Sequence, residues 1–121
     1  MTARSFLEVT LFVADVDQSA DFYRAIGVTL FPVDELEYPH HFDGGIGTTV
    51  LQLWPANDRP VTRVQLGFRV RSIAEVSRRL ADLGIEHNLT GPMVLQTVDP
   101  DGSRIHLVQI RNRRCTGVRL G

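Results

Sequence analysis

The chain has 121 residues, enough for one domain with a substantial core, and its 43% hydrophobic and 22% charged side chains are ordinary for a globular protein. A net charge of −1 gives no overall field that favours nucleic acid or an acidic membrane, and no apolar run is long enough to cross a bilayer. The single cysteine, Cys115, excludes an intrachain disulfide and a cysteine-rich metal site.

The polar start Met1–Ser5 is followed by no signal-peptide core, so a cytoplasmic protein is expected, with neither nucleic acid nor membrane as partner. All thirteen basic residues are arginines, which suits a GC-rich bacterial genome. Residues 6–13 alternate with period two, Leu7, Val9, Leu11 and Val13 on one face and Glu8, Thr10 and Phe12 on the other, as in a half-buried strand. Asp15 or Asp17 then offers an N-cap. Val16, Ala20, Tyr23 and Ile26 follow at helical spacing, and Gly27 is a natural stop.

Three short strands are expected next, near 28–34, 39–43 and 48–54, broken by Asp34-Glu35 and by the glycines at 44–47. The stretch 57–60 reads as a linker. A strand from about residue 65 leads to Ser72-Ile-Ala-Glu75, a capping box, with Ile73, Val76, Leu80 and Leu83 as the buried stripe and Gly84 as the stop. Strands near 86–90, 93–98 and 104–110 follow, broken by Gly91-Pro92 and by residues 99–102. Arginines 111, 113, 114 and 119 crowd a C-terminal tail that reads as solvated.

Shifting the sequence by 57 residues superposes the two halves. Val9 falls on Leu66, Leu11 on Phe68, Val13 on Val70, Tyr23 on Leu80 and Gly27 on Gly84. The expected architecture is therefore an α+β domain of two tandem βαβββ modules, about 5–56 and 61–110, with a basic tail over 111–121.

The opening strand with residues 17–24 (DQSADFYR), the strand 50–55 (VLQLWP) and the segment 98–107 (VDPDGSRIHL) together resemble the glyoxalase/bleomycin-resistance, or vicinal oxygen chelate, superfamily. The resemblance implies that each module is a curved mixed sheet with its helix outside and a cleft within. It also implies a homodimer, in which each cleft takes one module from each subunit. In the enzymes of the family four side chains hold a divalent ion that chelates two adjacent substrate oxygens. Matched position by position, those four are Glu8, Gln52, Gln65 and His106, and strand parity puts all four on the cleft side.

This set departs from the family's pattern, because it has one carboxylate, one histidine and two uncharged amides. Hard divalent cations rely on carboxylates to offset dehydration. The cofactor is therefore expected to be none, or one weakly held divalent ion (Ni, Zn, Mn or Fe). Without an ion, the same four residues make a polar cleft floor that can satisfy its own hydrogen bonds.

Phe12 and Trp54 share the cleft face with Glu8 and Gln52, an aromatic wall for a flat ligand. Arg63 and Arg104 fall on the face of Gln65 and His106 and could clamp an anionic group, or simply reach solvent. His40 and His41 are adjacent, so they point to opposite faces, and His41 is placed at the cleft mouth. The glycines at 44–47 are not a phosphate loop, since a strand and not a helix follows. The expected function is a dimeric protein that binds a small planar or anionic organic compound. The alternative is a metal-dependent lyase, isomerase or dioxygenase of the same superfamily, and a subunit that only mediates protein contact is a third reading.

Overall fold

In the computed structural model, which describes residues 2–110, the chain runs β1 (Glu8–Val13), α1 (Val16–Ala25), β2 (Thr29–Val33), β3 (His41–Ile46), β4 (Thr49–Pro55), β5 (Gln65–Val70), α2 (Ile73–Asp82), β6 (His87–Leu89), β7 (Val94–Val98) and β8 (Arg104–Gln109). The arginine-rich tail lies outside the described residues. Two four-stranded sheets form, ordered β1-β4-β3-β2 and β5-β8-β7-β6. In each, the first strand runs parallel to the last and the other pairs are antiparallel. This is an α+β fold of two βαβββ repeats. No helix among the described residues is long and apolar enough to cross a membrane.

The helices start and stop on local chemistry. Asp15 caps α1, its carboxylate accepting from the Gln18 N–H at 3.0 Å, and Ser72 caps α2 by accepting from Glu75 N–H at 3.1 Å. Gly27 (φ 106°) and Gly84 (φ 72°) end them in a conformation that penalises a Cβ. Helix α1 buries Val16, Ala20, Phe22 and Tyr23, whereas α2 buries only Ile73, Val76 and Leu80. Leu83, the last residue of the expected stripe, is the C-cap of α2 and half exposed. The alternate strand residues Leu11, Val13, Leu51, Leu53, Leu95, Ile105 and Leu107 meet the helices in one apolar cluster that spans both repeats. Truncating any one of these to alanine should cost about 2–5 kcal/mol.

Two strand boundaries differ from the sequence pattern for physical reasons. The first strand begins at Glu8, because its partner β4 begins only at Thr49, and Phe6 and Leu7 lie exposed before the ladder. The third strand does not break at the glycines but runs through Gly44 and Gly45. A Cβ on Gly44 would lie 2.2 Å from the Thr29 carbonyl oxygen, so β2 can approach this closely only because residue 44 has no side chain.

The halves are also tied by polar contacts. The buried Tyr23 hydroxyl on α1 donates to the Asp99 carboxylate at 2.6 Å, and Ala14 N–H donates to Asp101 at 3.2 Å. Burial, and then the bond to Asp99, push the Tyr23 hydroxyl well above its ordinary range, so it stays a donor. The linker passes along the rim of the first sheet, where Thr62 exchanges two hydrogen bonds with the Phe12 backbone at 2.9 and 2.8 Å. On the second repeat, the Ser77 hydroxyl donates to His87 Nε2 at 2.6 Å and so pins α2 to β6.

Candidate functional site

Because strand side chains alternate, the apolar residues packed under the helices leave the polar and aromatic ones on the opposite face of each sheet. In the first sheet the parallel register sets Thr10 beside Gln52 and Phe12 beside Trp54, and the antiparallel register sets Asp43 on the other side of Gln52. A chain of bonds results. The Thr10 hydroxyl donates to Gln52 Oε1 at 3.0 Å, and Gln52 Nε2 donates to Asp43 Oδ1 at 3.1 Å. His41, 4% exposed, donates from Nδ1 to the Pro39 carbonyl at 2.9 Å and keeps Nε2 3.5 Å from Asp43.

Above this polar floor stands an aromatic wall. The His41 ring stacks on Trp54 with centroids 4.0 Å apart and planes at 17°, and Tyr38 meets the same indole edge-on at 6.1 Å. The Arg59 guanidinium lies over Phe12, 4.3 Å from the ring centroid. Thr10, Phe12, Gln52, Trp54, Asn57 and Arg59 are among the lining of a recess of about 420 Å³, within the range of small-ligand sites.

The second sheet repeats this layout with different chemistry. Gly67 and Gln96 flank His106, and Gln65 lies beside Arg104. Gln65, Asn88, Gln96, Arg104 and His106 line a smaller recess of about 280 Å³. The position that Thr10 holds beside Gln52 is glycine beside His106, so the imidazole there has no cross-strand side chain on its β5 side. The first repeat thus offers an aromatic surface, and the second an amide-rich, basic one.

Of the residues singled out from sequence, Phe12, His41, Gln52 and Trp54 come together on the first sheet. Gln65, Arg104 and His106 come together on the second. Glu8 is exposed at the start of β1, opposite Val50 and diagonal to Gln52; Gln65 and His106 have the same diagonal relation. Arg63 precedes β5 and lines neither recess. Its Nε donates to the Asp101 carbonyl at 3.0 Å and lies against Gly102. Thr10, Tyr38, Asp43 and Arg59 belong to the first site, yet nothing in the linear pattern marked Asp43 or Arg59. Thr10 shares the parity of Glu8 and Phe12 and was legible on that ground.

The four residues matched to a metal set fit a tightly held divalent cation poorly. The Gln52 carbonyl, its only ligating atom, already accepts from Thr10, and its amide nitrogen is held by Asp43. Turning that carbonyl to an ion would compete with both of these bonds, and the neutral amide would bring no charge in return. Among the described residues no group of three or more His, Cys, Asp and Glu side chains is placed to hold a metal.

No family sequence model matches the chain, and no curated protein matches it in sequence. Solved structures do. An antibiotic-binding protein, TnmS3 from Streptomyces sp. CB03234, is 22% identical with a TM-score of 0.68, the match covering 92% of this chain and 99% of that one. The oxidase ChaP-H1 is 17% identical at TM-score 0.69, covering 90% and 98%. Lactoylglutathione lyase from Agrobacterium tumefaciens is 16% identical at TM-score 0.63, covering 90% and 96%. At these identities the likeness is one of fold: the chain has a glyoxalase-like fold.

Proposed function

We propose that the protein is a homodimeric small-molecule binder that holds a planar organic compound in a cleft shared between subunits, without requiring a metal. The observation that carries this reading is the pairing of a self-satisfied polar floor, Thr10–Gln52–Asp43, with the wall of Trp54, His41 and Phe12. A floor whose hydrogen bonds are already made is a surface to rest against and has little capacity for Lewis-acid or proton-transfer chemistry. The likeness to an antibiotic-binding protein agrees with that use.

The sheet edges support the dimer. Strands β1 and β5 are each the outer strand of their sheet, β1 being covered by the linker only where Thr62 bonds Phe12, and an edge next to a functional face favours pairing with another chain. A cleft that joined the first sheet of one subunit to the second sheet of its partner would set the aromatic surface opposite Arg104 and His106. The preferred ligand would then be a flat ring system that carries an anionic or strongly accepting oxygen. Under this reading the protein works in the cytoplasm, where a single unpaired cysteine stays reduced.

The rival reading is a metal-dependent lyase, isomerase or dioxygenase with Glu8, Gln65 and His106 as ligands, and the glycine opposite His106 leaves that imidazole without a cross-strand side chain on its β5 side. Calorimetric titration with anthraquinone-2-carboxylate separates the two. Binding without added metal, weakened several-fold by Trp54→Ala as expected for loss of about 1 kcal/mol of stacking, supports the binder. Binding that appears only with a divalent ion, or that ignores Trp54, contradicts it.

A further inference from the structure

A third recess, about 460 Å³ and larger than either face recess, opens where the repeats meet. Its walls come from the end of α1, the β3–β4 turn, the end of β5 and the first turns of α2. The floor is apolar: Val28 and Val76 are buried beneath it, and Phe68 and Val70 are only partly covered by the core. The rim is basic, formed by Arg69, Arg71 and Arg79.

These charges are unevenly compensated. Glu75, the only carboxylate of this recess, is shared between Arg78 and Arg79, with its oxygen 3.2 Å from Arg79 Nε. Arg69 and Arg71 have no carboxylate within 4.0 Å among the described residues. The recess thus carries two guanidiniums without a carboxylate partner among the described residues, on a lining that also includes half-covered Phe68 and Val70, so it has two unmet demands, one for an anion and one for apolar surface. One molecule meets both: an amphiphile with an acidic head and a hydrocarbon or ring body.

We propose that this recess at the seam of the two repeats binds an organic anion of that class, such as a medium-chain carboxylate. The Arg69 and Arg71 guanidiniums would hold the head, and the body would lie along Phe68 and Val70. Its lining shares no residue with the recesses of Trp54 and of His106, so it does not depend on the function proposed for them.

The test is isothermal titration calorimetry of the full chain with decanoate, with decanol and sodium sulfate as the two half-ligands. Decanoate has no ring to stack on Trp54, so its binding reports this recess and not the aromatic face. The expected result is saturable 1:1 binding per chain, at least roughly tenfold tighter than either half-ligand. Binding should fall at least roughly tenfold in Arg69→Gln/Arg71→Gln and stay unchanged in Trp54→Phe. Both arginines are exposed, so the double variant should keep the wild-type melting temperature, and that measurement confirms it is folded. No saturable decanoate binding overturns the proposal. So does equal binding of decanol, or binding that survives the double substitution or is lost with Trp54.

Discussion

Replacing Tyr23 by phenylalanine removes one oxygen from the interior and tests how the repeats are held together. The Tyr23 ring is fully buried and packs edge-on against Phe22 at 5.0 Å, contacts that phenylalanine keeps. What is lost is the 2.6 Å bond to Asp99 Oδ2, from an α1 residue of the first repeat to a turn of the second. Asp99 is 4% exposed, so no water easily replaces the hydroxyl. Its other oxygen, Oδ1, still accepts from the Asp101 and Ser103 N–H groups at 3.0 and 2.8 Å, so the carboxylate is not abandoned. A hydrogen bond to a charged group is worth about 1.5–3 kcal/mol. For a chain of this size that should lower Tm by roughly 5–15 °C. Urea denaturation should show a lower midpoint with the slope unchanged. In a double-mutant cycle with Asp99→Ala, the coupling should recover most of the Tyr23→Phe loss. A loss below about 0.5 kcal/mol, or strictly additive single losses, would refute the claim that this bond fastens one repeat to the other.

Three further outcomes follow from the same geometry. His40, on the loop that carries Tyr38 and Pro39, bonds Asp17 at 3.0 Å and Asp34 at 2.6 Å; those bonds raise its pKa above the ordinary 6.5. A raised folded-state pKa contributes stability that is fully present below the unfolded value and is lost as pH rises through the folded one. Wild type should therefore melt above His40→Gln at pH 5–6, with the gap closing at alkaline pH; a gap that widens with pH would reverse the sign. Gly44→Ala should cost at least about 2 kcal/mol by forcing β2 off β3, and a neutral result in a denaturation curve would show that the close approach at Thr29 is not required. Nickel or zinc titrated by calorimetry should bind weakly and lose that binding with Glu8→Ala, whereas tight stoichiometric binding that survives the substitution would place a metal site elsewhere.

The repeat itself was legible because its signals are local. A period-two strand, a capped helix and a terminal glycine recur at a 57-residue offset, and each is dictated by the nearest few residues. The site was legible only as far as parity reaches. Parity puts Phe12, Gln52 and Trp54 on one face, but the partner of Gln52 depends on the antiparallel register that brings Asp43 beside it, and register is a tertiary property. Arg59 belongs to the linker, where no periodicity exists to read. Gly44 misled in the opposite direction: a glycine run suggests a turn, yet here the missing side chain lets two strands approach inside a sheet. Leu83 fits the helical stripe by spacing, but the helix ends beneath it and leaves it half exposed.

Native mass spectrometry of the protein, purified without chelators and sprayed from a volatile buffer, tests the shared, metal-independent cleft most directly, because one spectrum reports both assembly and bound ions. The account predicts a species of about 27 kDa, twice the 13.6 kDa chain mass, with no stoichiometric metal. A 13.6 kDa monomer at micromolar concentration, or a dimer carrying one divalent ion per cleft, would contradict it.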